Sequence, residues 1–284
     1  MADLEVIREP QEMQARSERF RARGKRIVFV PTMGFLHHGH VALLREGRRR
    51  GDSLVLSIFV NPIQFGVGED LNRYPRDLPG DLAKAREAGV DLAFVPDVVA
   101  MYPPGSQTRV EVRDLSRGLC GDLRPGHFAG VATVVLKLVN IVKPHVMILG
   151  EKDYQQLLVV RRMAMDLSLD VEVVGHPIVR EPDGLAMSSR NSYLSTEERS
   201  QATVLWRSLD RVRALHGSGE RSAAVLLSEA RKVLASAPSA IPEYVELRDA
   251  ETLAPVDSVE HPAVIALAAR VGKTRLIDNV LLPG

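Results

Sequence analysis

Three imidazoles, His37, His38 and His40, close the segment Pro31-Thr-Met-Gly-Phe-Leu-His-His-Gly-His40, which directly follows the apolar run at residues 26–30. A strand, a glycine-containing turn and a helix start together form the arrangement in which backbone N–H groups and the helix dipole hold phosphate. His37 and His40 are three apart, so on a first helical turn they project to the same side. There they can donate hydrogen bonds to phosphate oxygens as negative charge develops. Gly39 between them lets a ligand approach the backbone closely. Two other readings stay open: the three histidines as neutral metal ligands, or as a plain surface cluster.

Three further segments carry groups suited to the same chemistry. Asn61 and Gln64 follow the next apolar run and offer uncharged donors and acceptors, able to fix a hydroxyl and a carboxylate without supplying a competing nucleophile; turn capping at Asn61-Pro62 is the plainer alternative. Gly150-Glu-Lys-Asp153 precedes a helix bearing Gln155 and Gln156. Lys152 is a flexible point charge that can follow a moving phosphate, and Asp153 can accept from ribose hydroxyls; a charge-balanced helix start explains them equally well. Gln156, one turn in, is expected to point back to the same mouth. Ser188, Ser189 and Arg190 combine two hydroxyls with a planar guanidinium, suited to triphosphate oxygens, with a helix cap as the plainer reading. Val271-Gly-Lys-Thr274 is not a phosphate loop, because Leu267 stands where the motif needs glycine. Arg124, Pro125, His127 and Phe128 border the candidate pocket or serve capping and packing, Cys120 is assigned no chemistry, and Met163, Met165 and Trp206 are expected in the core.

Short runs rich in β-branched residues at 26–30, 53–60, 92–95, 146–149 and 171–174 alternate with helical patterns at 40–50, 81–88, 131–142 and 153–166. Continuous apolar strands between helices predict an α/β fold, a doubly wound parallel sheet covered on both faces. Ligands in such sheets bind beyond the carboxyl ends of the strands, where these segments fall. Pro177, Pro182 and Asp183-Gly184 mark a break. Residues 1–178 are expected to form the first domain and 179–284 a smaller α+β domain, with helices at 196–215 and 220–235 and strands at 243–247, 263–268 and 275–281. A phosphate-binding loop on the second domain would let it close over a nucleotide and exclude water.

Composition sets the outer bounds. Lys and Arg number 37 against 36 Asp and Glu, a formal net charge of +1 over 284 residues, so there is no global field to hold nucleic acid or an anionic membrane. The Arg48-Arg49-Arg50 run closes a helix, where cations suit the C-terminal dipole. No stretch approaches the roughly 18 apolar residues of a membrane helix, and the charged N-terminus lacks a secretory apolar region. One cysteine, Cys120, forms no internal disulfide, and a cytoplasmic protein is expected.

Taken together, PTMGFLHHGH, FVNPIQF, YPRD, RPGHFAGVATVV, LGEKDYQQ, DGLAMSSRNSYL and RLIDN resemble, in order and spacing, the pantothenate synthetase (pantoate–β-alanine ligase) family. His37-His38-Gly39-His40 is similar to the HxGH signature of nucleotidyl transferases. The resemblance implies a Rossmann-like ATP- and pantoate-binding domain, a smaller C-terminal lid, a homodimer and the use of ATP with Mg2+. It places Met33, Gly34, Phe35, Leu36, His37, His38, Gly39 and His40 at ATP, with His40 in the position of a proton donor. Gly150, Glu151, Lys152 and Asp153 would also contact the nucleotide, as would Val179 and Met187, Ser188, Ser189 and Arg190. Asn61, Gln64 and Gln156 would clamp pantoate, Gln64 also lying near β-alanine, and Tyr74 would border the gate.

Implied chemistry is a two-step ligation through pantoyl adenylate, with His37, His40, Lys152, Ser188, Ser189 and Arg190 stabilising departing charge. This sequence departs from the family pattern at Phe35, bulkier than expected, and at Gly80, which leaves Asp81 without an acidic neighbour. The latter leaves the metal ligands unassigned and points to Mg2+ held chiefly by ATP. A different HxGH nucleotidyl transferase acting on a phosphorylated acceptor is the alternative, and a nucleotide-sensing module without chemistry is a third.

Overall fold

The computed structural model of the chain describes residues 4–284 and divides into two compact units. The first holds the described residues up to Ser116 with Arg124–Glu151 and Gln156–Pro177; the second holds Arg117–Leu123, Lys152–Gln155 and Ile178–Gly284.

In the first unit β1 (Glu5–Ile7), β2 (Ile27–Thr32), β3 (Ser53–Ile58), β4 (Leu92–Phe94), β5 (Val146–Gly150) and β6 (Glu172–His176) form one sheet in the order β1-β4-β3-β2-β5-β6. Every pair is parallel, as the unbroken apolar runs require when both faces are covered. β1, absent from the sequence reading, is three residues long, too short to display a period; it pairs Glu5–Ile7 with Leu92–Phe94. Val28, Val30, Leu54, Leu56, Val146 and Ile148 share one core with Leu43 and Leu44 of α2 (His38–Arg50) and Ala85 of α3 (Leu78–Glu87). The alternate residues Ile27, Phe29, Val55 and Met147 are fully buried toward the other face, where α1 (Pro10–Ala22) and the almost wholly apolar α6 (His127–Val142) pack. The short α4 (Val98–Met101) follows β4.

From β2 the chain winds through β3 and β4 to one side, and from β5 to β6 to the other. The switch point therefore falls between the carboxyl ends of β2 and β5, where open parallel sheets bind ligands. In the arginine run that closes α2, Arg49 and Arg50 pair with Glu46, and Arg48 donates to Asp91 at 2.8 Å.

The second unit holds α5 (Leu119–Leu123), the start of α7 (Tyr154–Asp166), α8 (Thr196–Ala202), α9 (Val204–Gly217) and α10 (Ala223–Leu234). Its strands β7 (Ala240–Asp249), β8 (Ala263–Val271) and β9 (Thr274–Leu282) form an antiparallel sheet. Leu205, Leu209, Val212, Leu226, Val245, Ile265 and Leu267 build its separate core. A single helix was expected over 196–215; α8 and α9 meet at Thr203, whose φ of −62° and ψ of −16° remain helical, and Ser195 with Glu198 caps the start. Val271-Gly-Lys-Thr274 is the hairpin turn between β8 and β9, with Gly272 at φ +58°.

One expectation, that of Met165 in the core, needs correction. Besides Ile178–Gly284, the second unit takes in Arg117–Leu123 and Lys152–Gln155. Cys120 is buried on α5 beside Tyr244 and Arg275, Tyr154 donates to the carbonyl of Ala250, and Gln155 accepts from the Cys120 N–H. Met165 is 70% exposed whereas Met163 is buried, because residues two apart on a helix point to opposite sides.

Candidate active site

At the end of β2 the chain makes a tight turn before α2. Thr32 Oγ1 donates to the Ser57 carbonyl at 2.7 Å and accepts from Gly34 N–H at 3.2 Å. Gly34 and Phe35 both take left-handed backbone, φ +82° and +51°. A Cβ on Gly34 would lie 2.9 Å from both Asp81 Oδ2 and Ile58 Cγ2, so glycine is required there. Phe35 is held in this conformation, unusual for a bulky residue, by Asp81: its carboxylate accepts from Phe35 N–H at 2.8 Å and Leu36 N–H at 2.6 Å. The backbone at position 35 is thus held by the clamp, and the lone acidic residue at 81 is a structural anchor for the loop.

His37 is the N-cap of α2, its Nδ1 accepting from Gly39 N–H at 3.1 Å; His40 Nδ1 accepts from His37 N–H at 3.3 Å. The rings lie 4.0 Å apart, centroid to centroid. With Nδ1 of each occupied as an acceptor, the neutral imidazoles carry their protons on Nε2 and present N–H donors. That is the form needed to meet phosphate oxygens, and it opposes metal ligation, which needs a lone pair on Nε2. His38, on the helix's outer side, is exposed. Among the described residues no group of three His, Cys, Asp or Glu is placed to hold a metal ion, and both Asp81 oxygens are engaged by backbone N–H groups.

Beyond β3, Pro62–Gln64 forms a single 3-10 turn. Asn61 and Gln64, 1% and 9% exposed, are joined: Asn61 Nδ2 donates to Gln64 Oε1 at 3.0 Å and to the Gly130 carbonyl at 3.1 Å. Tyr102, which belongs to none of the motifs, donates its hydroxyl to Asn61 Oδ1 at 2.8 Å. Gln64 Nε2 lies 3.4 Å from Met33 Sδ, so the turn after β2 and the one after β3 meet. α6 approaches closely: a Cβ on Gly130 would lie 2.5 Å from the Ile63 carbonyl oxygen. Arg124 and His127 hold the same turn from below. His127 Nδ1 and the Gln64 carbonyl are 2.9 Å apart, His127 Nε2 faces Arg124 Nη1 at 2.9 Å, and Arg124 pairs with Glu69 at 2.6 Å. Phe65 meets Tyr74 edge-on at 6.2 Å. At the end of β5, Glu151 packs against Gly175, where a Cβ would lie 2.8 Å from Glu151 Oε1, and Gln156 is half-buried on the first turn of α7.

In the second unit Lys152, mostly buried, lies 3.8 Å from the Asp153 carboxylate, and its carbonyl accepts from Asn279 Nδ2 at 3.0 Å. The loop 184–190 is fixed by Arg180, whose guanidinium stacks 3.8 Å from the Trp206 ring, pairs with buried Asp278 at 2.6 and 2.9 Å and donates to the Gly184 carbonyl at 3.0 Å. A Cβ on Gly184 would fall 2.0 Å from Trp206. The Val179 carbonyl accepts from Met187 N–H at 3.0 Å. Ser188 caps the 3-10 turn Ser189–Tyr193, accepting from Arg190 N–H at 3.3 Å, and Ser189 is buried. The capping alternative is therefore realised at Ser188. Asp278 and Asn279, seen in the sequence only as part of RLIDN, anchor this loop and Lys152.

A parallel sheet whose switch point meets a helix start that presents imidazole N–H donors defines an α/β protein built to bind a nucleotide or phosphate. Residues 5–281 match the family model described as pantoate-beta-alanine ligase, and the chain belongs to that family. It is 56% identical to a pantothenate synthetase of Trichlorobacter lovleyi over 279 residues, 98% of this chain and 99% of that one. The structure of pantothenate synthetase from Thermus thermophilus superposes with a TM-score of 0.95 at 47% identity, covering 99% of this chain and 100% of that one. The Francisella tularensis pantoate-beta-alanine ligase, complexed with beta-gamma ATP and beta-alanine, gives a TM-score of 0.82 at 31% identity, covering 98% of this chain and 97% of that one.

Proposed function

We propose that this chain condenses (R)-pantoate with β-alanine, using ATP and releasing AMP and pyrophosphate. The pantoate carboxylate attacks the α-phosphorus, a P–O bond forms and pyrophosphate leaves. The β-alanine amine then attacks the acyl carbon of pantoyl adenylate, forming the amide and expelling AMP. The observation that carries this reading is the pair of imidazoles at the start of α2, both with Nδ1 tied to backbone and the proton therefore on Nε2.

His37 and His40 serve the phosphates, with Lys152, Ser188, Ser189 and Arg190 stabilising the departing charge. Met33, Gly34, Phe35, Leu36, His38, Gly39, Gly150, Glu151, Asp153, Val179 and Met187 complete the nucleotide contacts, and Asn61, Gln64 and Gln156 hold pantoate. Family membership and the order of the motifs support these roles. Mg2+ brought by ATP would offset phosphate charge, as suits an ion that keeps several waters; the engagement of Asp81 with backbone supports a nucleotide-held ion. A homodimer and a cytoplasmic location belong to the same reading and rest on the family resemblance, with the single cysteine in keeping. Balanced charge supports small-molecule substrates over nucleic acid. A phosphorylated acceptor would call for cations where Asn61, Gln64 and Tyr102 present neutral groups.

The test is to incubate the protein with Mg-ATP and D-pantoate, then add β-alanine. Pyrophosphate that appears only with pantoate, followed by AMP on adding β-alanine, is expected; ATP binding without pyrophosphate release would overturn the reading. Lys152→Ala should slow single-turnover adenylate formation on the order of 100-fold, and an unchanged rate would remove Lys152 from its role.

A further inference from the structure

We propose that Tyr102 is a positioning residue for the acyl site: its hydroxyl, together with the Gly130 carbonyl, holds Asn61 and through it the end of the Gln64 carboxamide that faces the substrate. The inference rests on the reading that Asn61 and Gln64 hold pantoate, and it starts from a group that can only accept. The Gly130 carbonyl lies 3.1 Å from the Asn61 carboxamide, so the nitrogen of that amide must face it. Asn61 Oδ1 is thereby turned toward Tyr102, 2.8 Å away, and the phenol must be the donor. The same Asn61 nitrogen meets Gln64 at 3.0 Å, so Gln64 turns its oxygen inward. Gln64 Nε2 is left on the far side, beside Met33 Sδ at 3.4 Å. One backbone carbonyl and one phenol thus set the sense of two amides in series, and Gln64 offers N–H donors, the partners a carboxylate requires.

The phenol is itself well held. Its ring lies 6.2 Å from that of Phe59, and the Lys137 ammonium sits 5.5 Å above it and donates to the Met101 carbonyl. Burial pushes the Tyr102 hydroxyl well above the ordinary phenol range, so it remains a donor at neutral pH. Without that hydroxyl, Asn61 Oδ1 would be a buried acceptor deprived of its donor. Reversing the Asn61 amide would set oxygen against the Gly130 carbonyl oxygen, so without the phenol Asn61 is held by that carbonyl alone, with one buried acceptor unmet, and Gln64 is less firmly held in its sense.

Tyr102→Phe keeps the ring and its neighbours and removes only the donor. The pantoate KM should rise about tenfold, with the ATP KM and kcat each within about threefold of wild type. In an Asn61→Ala background the same substitution should add nothing, since coupled residues show non-additive effects. In substrate-free protein, the Asn61 side-chain amide protons, followed by NMR, should exchange faster with solvent in Tyr102→Phe than in wild type. An unchanged pantoate KM, an equal rise in the ATP KM, or an undiminished effect in the Asn61→Ala background would overturn the inference. Wild-type protein that leaves pantoate unconverted would overturn the reading of the site, and amide exchange unaltered by Tyr102→Phe would then overturn the positioning role as well.

Discussion

A carboxylate only 1% exposed is costly unless its oxygens are met, and those of Asp81 are met by the backbone N–H groups of Phe35 and Leu36. Burial pushes the Asp81 carboxyl above its ordinary range, with those two N–H groups opposing the shift. The gain is a turn in which two successive left-handed residues lead into the helix capped by His37. Asp81→Ala removes the acceptor, strands two backbone donors and leaves Phe35 at φ +51° without its hold. We expect a loss of about 2 kcal/mol in urea denaturation together with a raised KM for ATP. Full stability and an unaltered ATP KM would show that the turn holds its shape alone. His37 and His40 gain their chemistry from the same local order, because occupying Nδ1 with backbone N–H decides which nitrogen carries the proton.

At the scale of elements, the turn after β3 depends on the segment entering α6. Glu69, Arg124 and His127 run as one chain of contacts to the Gln64 carbonyl. For Glu69 burial works to raise the carboxyl, but the hydrogen bonds and charge of Arg124 outweigh it and leave the group below its ordinary value of 4.5. A carboxylate with a depressed value in the folded protein contributes stability above the unfolded value, and loses it as pH falls through the folded one. The stability advantage of wild type over Glu69→Gln should therefore be constant near neutrality and shrink on acidification below about pH 4.5. A difference that stays flat from about pH 7 to about pH 3 would show that the ion pair is not linked to folding. Gly130, in the middle of this packing, permits an approach that any side chain would block.

For the whole molecule, the two units carry separate hydrophobic cores. Chains of this size often unfold in more than one step. The single tryptophan, Trp206, lies in the second unit beside Arg180, while the parallel sheet and its helices dominate the far-ultraviolet signal. Denaturation followed by tryptophan fluorescence should therefore not coincide with that followed by circular dichroism. Superimposable curves would show the units to unfold as one.

The amino-acid sequence alone determined the alternation of apolar runs and helical patterns, hence the parallel sheet. It also placed the histidines, the amides and the Ser-Ser-Arg run just beyond strands or breaks, and carried the family's motifs in order. These are local signals, written in period and spacing. It could not reveal β1, whose three residues acquire strand character only by pairing with β4, nor that Lys152–Gln155 packs with the C-terminal sheet. Tyr102 carries no local mark, and Gly130 and Asp278 stand in quoted motifs without an assigned role, because each acts on a residue 41 or more positions away once the fold is formed. Which nitrogen of each imidazole bears a proton follows from partners two and three residues away on the helix turn, whereas which end of each amide turns inward was decided by tertiary structure alone, through Gly130 and Tyr102 brought within hydrogen-bonding distance by the fold.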